Sequence, residues 1–388
     1  MPARPKSTFT CPELSNEEKD RIWRAYRSGK PERVPVALMG NNRLYMLDPR
    51  FNTEGLTYEE TFRDAEKMLH SQLRWQEVIR SHYHRFCDYP TGLPEKWQVA
   101  VQFQNVSEAW FFGCEVNFKP GQVPDTTPIL TGENKRSVFD VDISRPLERD
   151  PYRRGLEFCR RMTDIARSFE FRGRPVEILP YLPQGTDGPM TVAMNLRGGD
   201  FLLDLVLDPR YADELMGFIL QAAINRTNAV ARYWDRTLEA VWFADDSIET
   251  ISLDMYREKV LPHHKRFFDA LDPAGKLPRT VHLCGDACRH FPVLVKECGV
   301  RSIDTGFPVD FARLRKAVGP EVEILGGVEV ALLMNGTPEQ VYARAKDILT
   351  SGVLEGRRFV LREANNLPPM TPEANLAAMY RAGLDFGM

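Results

Sequence analysis

Short runs of β-branched and apolar residues alternate along the chain with stretches whose apolar positions recur every three or four residues. Eight such runs stand out: Val34–Leu38, Val99–Phe103, Val176–Leu182, Ala240–Ala244, Thr280–Cys284, Arg301–Thr305, Glu321–Leu325 and Arg358–Arg362. Between and after the later runs, Leu253–Leu271, Asp286–Cys298, Val309–Val318, Thr337–Thr350 and Thr371–Leu384 carry helical spacing, and Thr337-Pro338-Glu339 is a strong helix start. Strand-helix alternation means parallel pairing through crossover helices, and eight repeats fit a closed (β/α)₈ TIM barrel better than an open doubly wound sheet.

Two segments break the pattern. Residues 1–33 are polar and charged, with Ser15-Asn-Glu-Glu18 as a capping-box start for a helix to Arg27, so they read as an N-terminal helical cap on a barrel spanning 34–388. Residues 104–155 are rich in Pro, Gly and Thr, which predicts a long loop insertion after strand two lying over one end of the barrel.

Composition narrows the function. Lys plus Arg (51) nearly balances Asp plus Glu (54), for a formal charge of -3, so there is no electrostatic footprint for nucleic acid or an anionic membrane. Small molecules are the expected partners. No run of 18 apolar residues occurs and the N-terminus lacks a secretory apolar stretch, which places the chain in the cytoplasm. The seven cysteines are sparse and cluster only near residue 284, as reduced thiols or metal ligands do.

TIM-barrel enzymes work at the C-terminal ends of their strands. Those ends carry Asp245-Asp246 in the fourth run, His282 and Cys284 in the fifth, Asp304-Thr305-Gly306 in the sixth, Gly326-Gly327-Val328-Glu329 in the seventh and Glu363-Ala364-Asn365-Asn366 in the eighth. On an extended strand, residues i and i+2 point the same way, so the His282 imidazole and the Cys284 thiolate can converge on one ion. They are borderline-soft ligands suited to zinc, with Asp304 or Glu363 as the best-placed third ligand; the bland alternative is that both merely pack in the barrel mouth. Adjacent residues point opposite ways, so one of Asp245 and Asp246 faces the cavity, and Asp246 is favoured. Cys288 and Cys298 read as packing residues on the following helix, and His263-His264 as a solvent-facing pair on a charged helix. Gly185-Thr-Asp-Gly-Pro-Met190 reads as a turn, or as backbone N–H groups for an anion.

Arg33-Val34-Pro35-Val36, Gly188-Pro189-Met190-Thr191, Ala244-Asp245-Asp246, His282-Leu-Cys-Gly285, Leu325-Gly326-Gly327-Val328-Glu329 and Pro368-Pro-Met-Thr-Pro-Glu-Ala-Asn375, in this order and spacing, resemble the uroporphyrinogen decarboxylase superfamily. The resemblance implies a (β/α)₈ barrel, and His-x-Cys-Gly is similar to its cobalamin-dependent methyltransferase branch, where His, Cys and a later Cys hold zinc. Here Asn365 stands in the later cysteine's place. The function so implied is methyl transfer between a small methylated substrate or thiol and a corrinoid (cobalamin) carried on a corrinoid-binding partner protein. Zinc would be held by His282, Cys284 and Asp304 or Glu363. Asp246 and Asn365 would orient the substrate, and Arg43, Asp245, Gly327 and Glu329 would bind it. The alternatives are a metal-independent decarboxylase working through Asp246, Arg43 and Asn365, or a non-catalytic ligand or corrinoid binder.

Overall fold

The structure, a computed structural model, describes residues 9–181 and 185–388. Its frame is a set of parallel strands: β1 (Trp97–Val99), β2 (Arg174–Ile178), β3 (Gly185–Asp187), β4 (Val241–Ala244), β5 (Arg279–Leu283), β6 (Ser302–Thr305), β7 (Glu323–Glu329) and β8 (Phe359–Ala364). Parallel ladders join β1 to β2 and run without break from β3 through β8, while the first run enters as the Val36–Leu361 bridge beside β8. The third run thus falls into two pieces, β2 against its predecessor and β3 against β4, and its Leu182 end lies outside the described residues. Helices follow the strands in turn, among them Tyr152–Ala166, Pro209–Tyr233, Leu261–Leu271, Phe311–Val318, Pro338–Thr350 and Glu373–Phe386. The architecture is the expected (β/α)₈ barrel.

The first run is held by charge as well as by its single bridge. Asp88, fully buried, accepts from both terminal nitrogens of Arg33 at 2.7 and 2.8 Å, from the Val36 N–H at 2.7 Å and from the Tyr380 hydroxyl at 2.9 Å. That network ties the start of the barrel to its last helix. Below it, helix Asn16–Arg27 has the capping box foreseen at Ser15 and Glu18, and its Tyr26 hydroxyl reaches Glu323 at the base of β7 at 2.8 Å. The helix therefore lies across the N-terminal mouth. Segment 104–151 contains short helical turns, a 3₁₀ stretch over Gly132–Asp140 and a two-residue hairpin, Val116–Asn117 against Asp125–Thr126. No helix among the described residues is long and apolar enough to cross a membrane.

Several boundaries differ from the sequence expectation. β7 continues to Glu329 and β8 to Ala364, because Gly326 and Gly327 let the strands approach: a Cβ on Gly327 would sit 2.1 Å from the Arg362 carbonyl oxygen. The helix expected from Asp286 starts only at Phe291, where Pro292 presets the first turn, so Cys288 lies in the preceding turn.

Candidate functional site

Register decides which side chains share the lumen. Asp187, Ala244, His282, Asp304 and Leu325 lie side by side across β3 to β7. Period-two alternation then turns Cys284, just beyond β5, the same way as His282, and Arg362 the opposite way from Glu363.

At the C-terminal mouth, His282 Nε2 stands 2.9 Å from Cys284 Sγ, and Asp246 Oδ1 lies 4.0 Å from the same nitrogen and accepts the Cys284 N–H at 2.7 Å. Ligand atoms of Asp246, His282 and Cys284 all lie within 4.8 Å of one another. Gly285 follows with φ 64, turning the chain so that the Glu249 carboxylate occupies the space a Cβ would need and accepts the Asp286 N–H at 2.9 Å. The backbone carrying Cys284 is thereby fixed from both sides.

The other face of the imidazole is equally specified. Asp304 Oδ2 accepts from His282 Nδ1 at 2.9 Å and from Arg362 Nη1 at 3.1 Å. Arg362 also donates to the carbonyls of Glu363 and Asn365 and to the Met39 sulfur. Placing the Nδ1 proton on the Asp304 side leaves the Nε2 lone pair facing Cys284 and Asp246, the arrangement in which a carboxylate orients a metal-ligating histidine.

Electrostatics fit a cation at this point. Burial lowers the His282 pKa, yet the Asp304 hydrogen bond and the charges of Asp304 and Asp246 outweigh it, so the net shift is upward. Burial raises the Cys284 thiol, and the Asp246, Asp304 and Glu249 charges raise it further. So many negative groups oppose a thiolate standing alone and favour one shared with a dication. The donor set of one nitrogen, one sulfur and one oxygen also suits zinc.

The expected site residues divide accordingly. Asp246, His282 and Cys284 come together. Asp304 stands behind the histidine rather than beside the thiol, and Glu363 faces away from the lumen, its Oε1 accepting the Met39 N–H at 2.6 Å. Parity explains the second difference, since Arg362 takes the inward position on β8. Asp245, expected at the substrate, is fully buried: it accepts the N–H groups of Met190 and Thr191 at the start of helix Pro189–Arg197. The anion at the Gly188 turn is thus the protein's own carboxylate. Gly327 serves strand packing, and Glu329 is held by Arg344 through bonds of 2.6–3.1 Å. Asn365 has φ 76 and accepts through its side-chain oxygen from Asn366 at 3.0 Å. Arg43, half-buried near Cys284, makes one long side-chain bond, 3.4 Å to Gln104, and burial lowers its pKa.

Three residues of this region were missed from the sequence: Arg362, Asp187 and His264. Arg362 was signalled as the one cation within β8, directly before Glu363. Asp187 shares the His282 layer, and burial, with the Glu108 and Asp246 charges, raises its carboxyl well above the ordinary range. His263 and His264 are both buried rather than solvent-facing.

Glu363 supplies a pH-dependent prediction. Burial raises its pKa to about 7, and Oε2 is buried without a hydrogen-bond partner among the described residues. A carboxyl raised in the folded state is neutral at no cost in acid and destabilises progressively as pH climbs from its unfolded value to about 7, levelling off above that. Between pH 5 and 8, Glu363→Gln is expected to gain about 3 kcal/mol on the wild type, at 1.36 kcal/mol per unit, in denaturant titrations; parallel curves would contradict the burial argument.

The uroporphyrinogen decarboxylase (URO-D) family model matches residues 98–384. A methylated-thiol–coenzyme M methyltransferase of Methanosarcina mazei is 30% identical over 72% of this chain and 70% of its own. The methylcobamide:CoM methyltransferase MtbA of the same organism is 23% identical over 95% and 98%. A uroporphyrinogen decarboxylase of a Mycobacterium species is 32% identical over a shorter stretch, 39% of this chain and 41% of its own. Among solved structures, a methyltransferase from Methanosarcina mazei superposes with a TM-score of 0.63 at 18% identity over 96% of this chain and 99% of that one, which supports the fold. With a matched span of that length, a lumen built at the strand ends and relatives that include both methyltransferases and decarboxylases, the chain belongs to the uroporphyrinogen decarboxylase family.

Proposed function

We propose that this protein is a methyltransferase that moves a methyl group between a small thiol or methylated substrate and a corrinoid carried on a partner protein, with zinc held by His282, Cys284 and Asp246. The observation that carries the reading is the convergence of those three donor atoms within 4.8 Å at the barrel mouth. Asp246 takes the third-ligand role in place of Asp304 or Glu363, and it also answers the absence of a second cysteine at Asn365.

Bound there, zinc supplies Lewis-acid activation of the sulfur or heteroatom that gains or loses the methyl group. The protein's own groups do the rest. Asp304 holds the proton on His282 Nδ1 and thereby keeps Nε2 a donor of its lone pair. Arg362 neutralises Asp304. Arg43 offers a desolvated guanidinium beside Cys284, placed for a carboxylate or sulfonate on the acceptor. Burial and the Glu108 and Asp246 charges favour the protonated form of Asp187 within the lumen layer of His282.

The test is methyl transfer from free methylcobalamin to a panel of thiols by the zinc-loaded protein. Anionic thiols are expected to react fastest. Arg43→Gln should raise their KM roughly 10–100-fold, the equivalent of one charged hydrogen bond of about 1.5–3 kcal/mol, and leave neutral thiols unaffected. No transfer with any thiol, together with carboxylate loss from an acid substrate, would favour the lyase reading instead.

A further inference from the structure

Behind Asp246 lies a buried relay that neither the metal site nor the proposed transfer uses directly. His264 and Asp245 are fully buried, as is Tyr256. His264 Nε2 stands 2.8 Å from Asp245 Oδ2, and its Nδ1 stands 3.1 Å from the Tyr256 hydroxyl. A carboxylate only accepts, so in the neutral ring Nε2 carries the proton and Nδ1 accepts from the tyrosine O–H. The Phe243 ring lies 4.3 Å from His264, so the relay is set in an apolar wall.

Helix geometry shows that this contact is built in. Tyr256 and His264 are eight residues apart, which in an uninterrupted α-helix leaves them about 80° out of line. The Tyr256–Val260 turn is a π-helix, and one extra residue brings the two side chains to within roughly 20° of a common face. The other end of the relay is anchored as firmly. Asp245 Oδ1 accepts from Thr191 N–H at 2.7 Å, Thr191 Oγ1 accepts from Ser247 N–H at 3.0 Å, and the Gly188 N–H donates to the Ala244 carbonyl at 2.6 Å. Residues 244–247 are therefore clamped on both sides of Asp246.

We infer that His264 and Tyr256 are positioning residues: through Asp245 they hold the β4 end so that the Asp246 carboxylate meets His282 and Cys284. Burying an acid, an imidazole and a phenol together is costly unless every group is paired, and here each pairs with the next. Loss of one member leaves Asp245 short of a donor or His264 free to change tautomer, and the residue that shifts is the neighbour whose backbone Asp245 fixes.

The inference rests on the metal reading, and the test separates the two. Zinc affinity is measured by chelator competition, and the cobalt-substituted protein is read by its thiolate charge-transfer and ligand-field bands, alongside thermal unfolding. Tyr256→Phe and His264→Ala are expected to weaken zinc roughly 10–100-fold, the usual effect of losing a residue that supports a ligand, and to change the cobalt spectrum. His264→Gln, whose amide can donate to Asp245 and accept from Tyr256, should return affinity to within a few-fold of wild type. Tyr256→Phe removes a single oxygen and keeps the ring, so it decides the matter if His264→Ala fails to fold. Wild-type affinity and spectrum in folded Tyr256→Phe would overturn the relay and leave the metal reading standing. Absence of zinc binding by the wild-type chain would overturn both.

Discussion

Replacing Cys284 with Ser is expected to cost roughly two orders of magnitude in zinc affinity and to abolish methyl transfer while leaving the fold intact. Structural zinc sites with four ligands are worth about 10–16 kcal/mol at neutral pH, so one ligand carries about 3 kcal/mol or somewhat more. Cys284 is the site's sulfur, and nothing in the core depends on it: it is only partly buried, just beyond β5, while Val281 and Leu283 on the outward face pack the barrel wall. Thermal unfolding of the metal-free variant should therefore match that of the metal-free wild type. Removing the thiol also removes a group that burial and the surrounding carboxylates hold in its neutral form, so the variant should gain rather than lose stability at high pH. Isothermal titration with zinc, run beside the unfolding curves, separates a lost ligand from a damaged fold.

Arg362→Met is expected to act through stability first. The Arg362 and Asp304 side chains are 5% and 14% exposed, so their 3.1 Å contact is a buried ion pair. Breaking one partner of such a pair strands the other charge and costs about 3–5 kcal/mol, which in a chain of this size lowers the unfolding temperature by roughly 4–6 °C. Arg362 also ties β8 to the Asn365 carbonyl, so the β8 end should loosen. The double variant Arg362→Met/Asp304→Leu replaces the whole pair with apolar groups and should recover most of the stability. It should not recover zinc affinity, because His282 Nδ1 would have lost its acceptor. A double variant that regained both would show that Asp304 does not orient the imidazole.

The barrel and the heart of the site were legible in the sequence for one reason: period-two and three-to-four spacing are local signals, and His282 and Cys284 share a strand end. What decided which carboxylate stands beside them was not local. Asp304 and Glu363 are both strand-end carboxylates by sequence, but Arg362 beside Glu363 claims the inward position, and His282 presents its Nδ1 side to Asp304. Alternation along β8 could have excluded Glu363, had the lone arginine been given the lumen. The parity argument at Asp245-Asp246 pointed to Asp246, yet the destination of Asp245 needed the partner helix. His264 has the composition of a surface histidine in a charged helix, and only the π turn and the buried carboxylate opposite make it internal. Arg43, likewise, is an ordinary short-helix residue until the fold sets it near Cys284.

A mixed nitrogen, sulfur and oxygen site formed by His282, Cys284 and Asp246 would be read out by zinc K-edge X-ray absorption on the zinc-loaded protein. The spectrum is expected to show a single sulfur at about 2.3 Å, with the remaining scatterers nitrogen and oxygen at about 2.0–2.2 Å, and to lose the sulfur shell in Cys284→Ser. Two sulfurs in the zinc shell, or a sulfur shell that survives in Cys284→Ser, would contradict it.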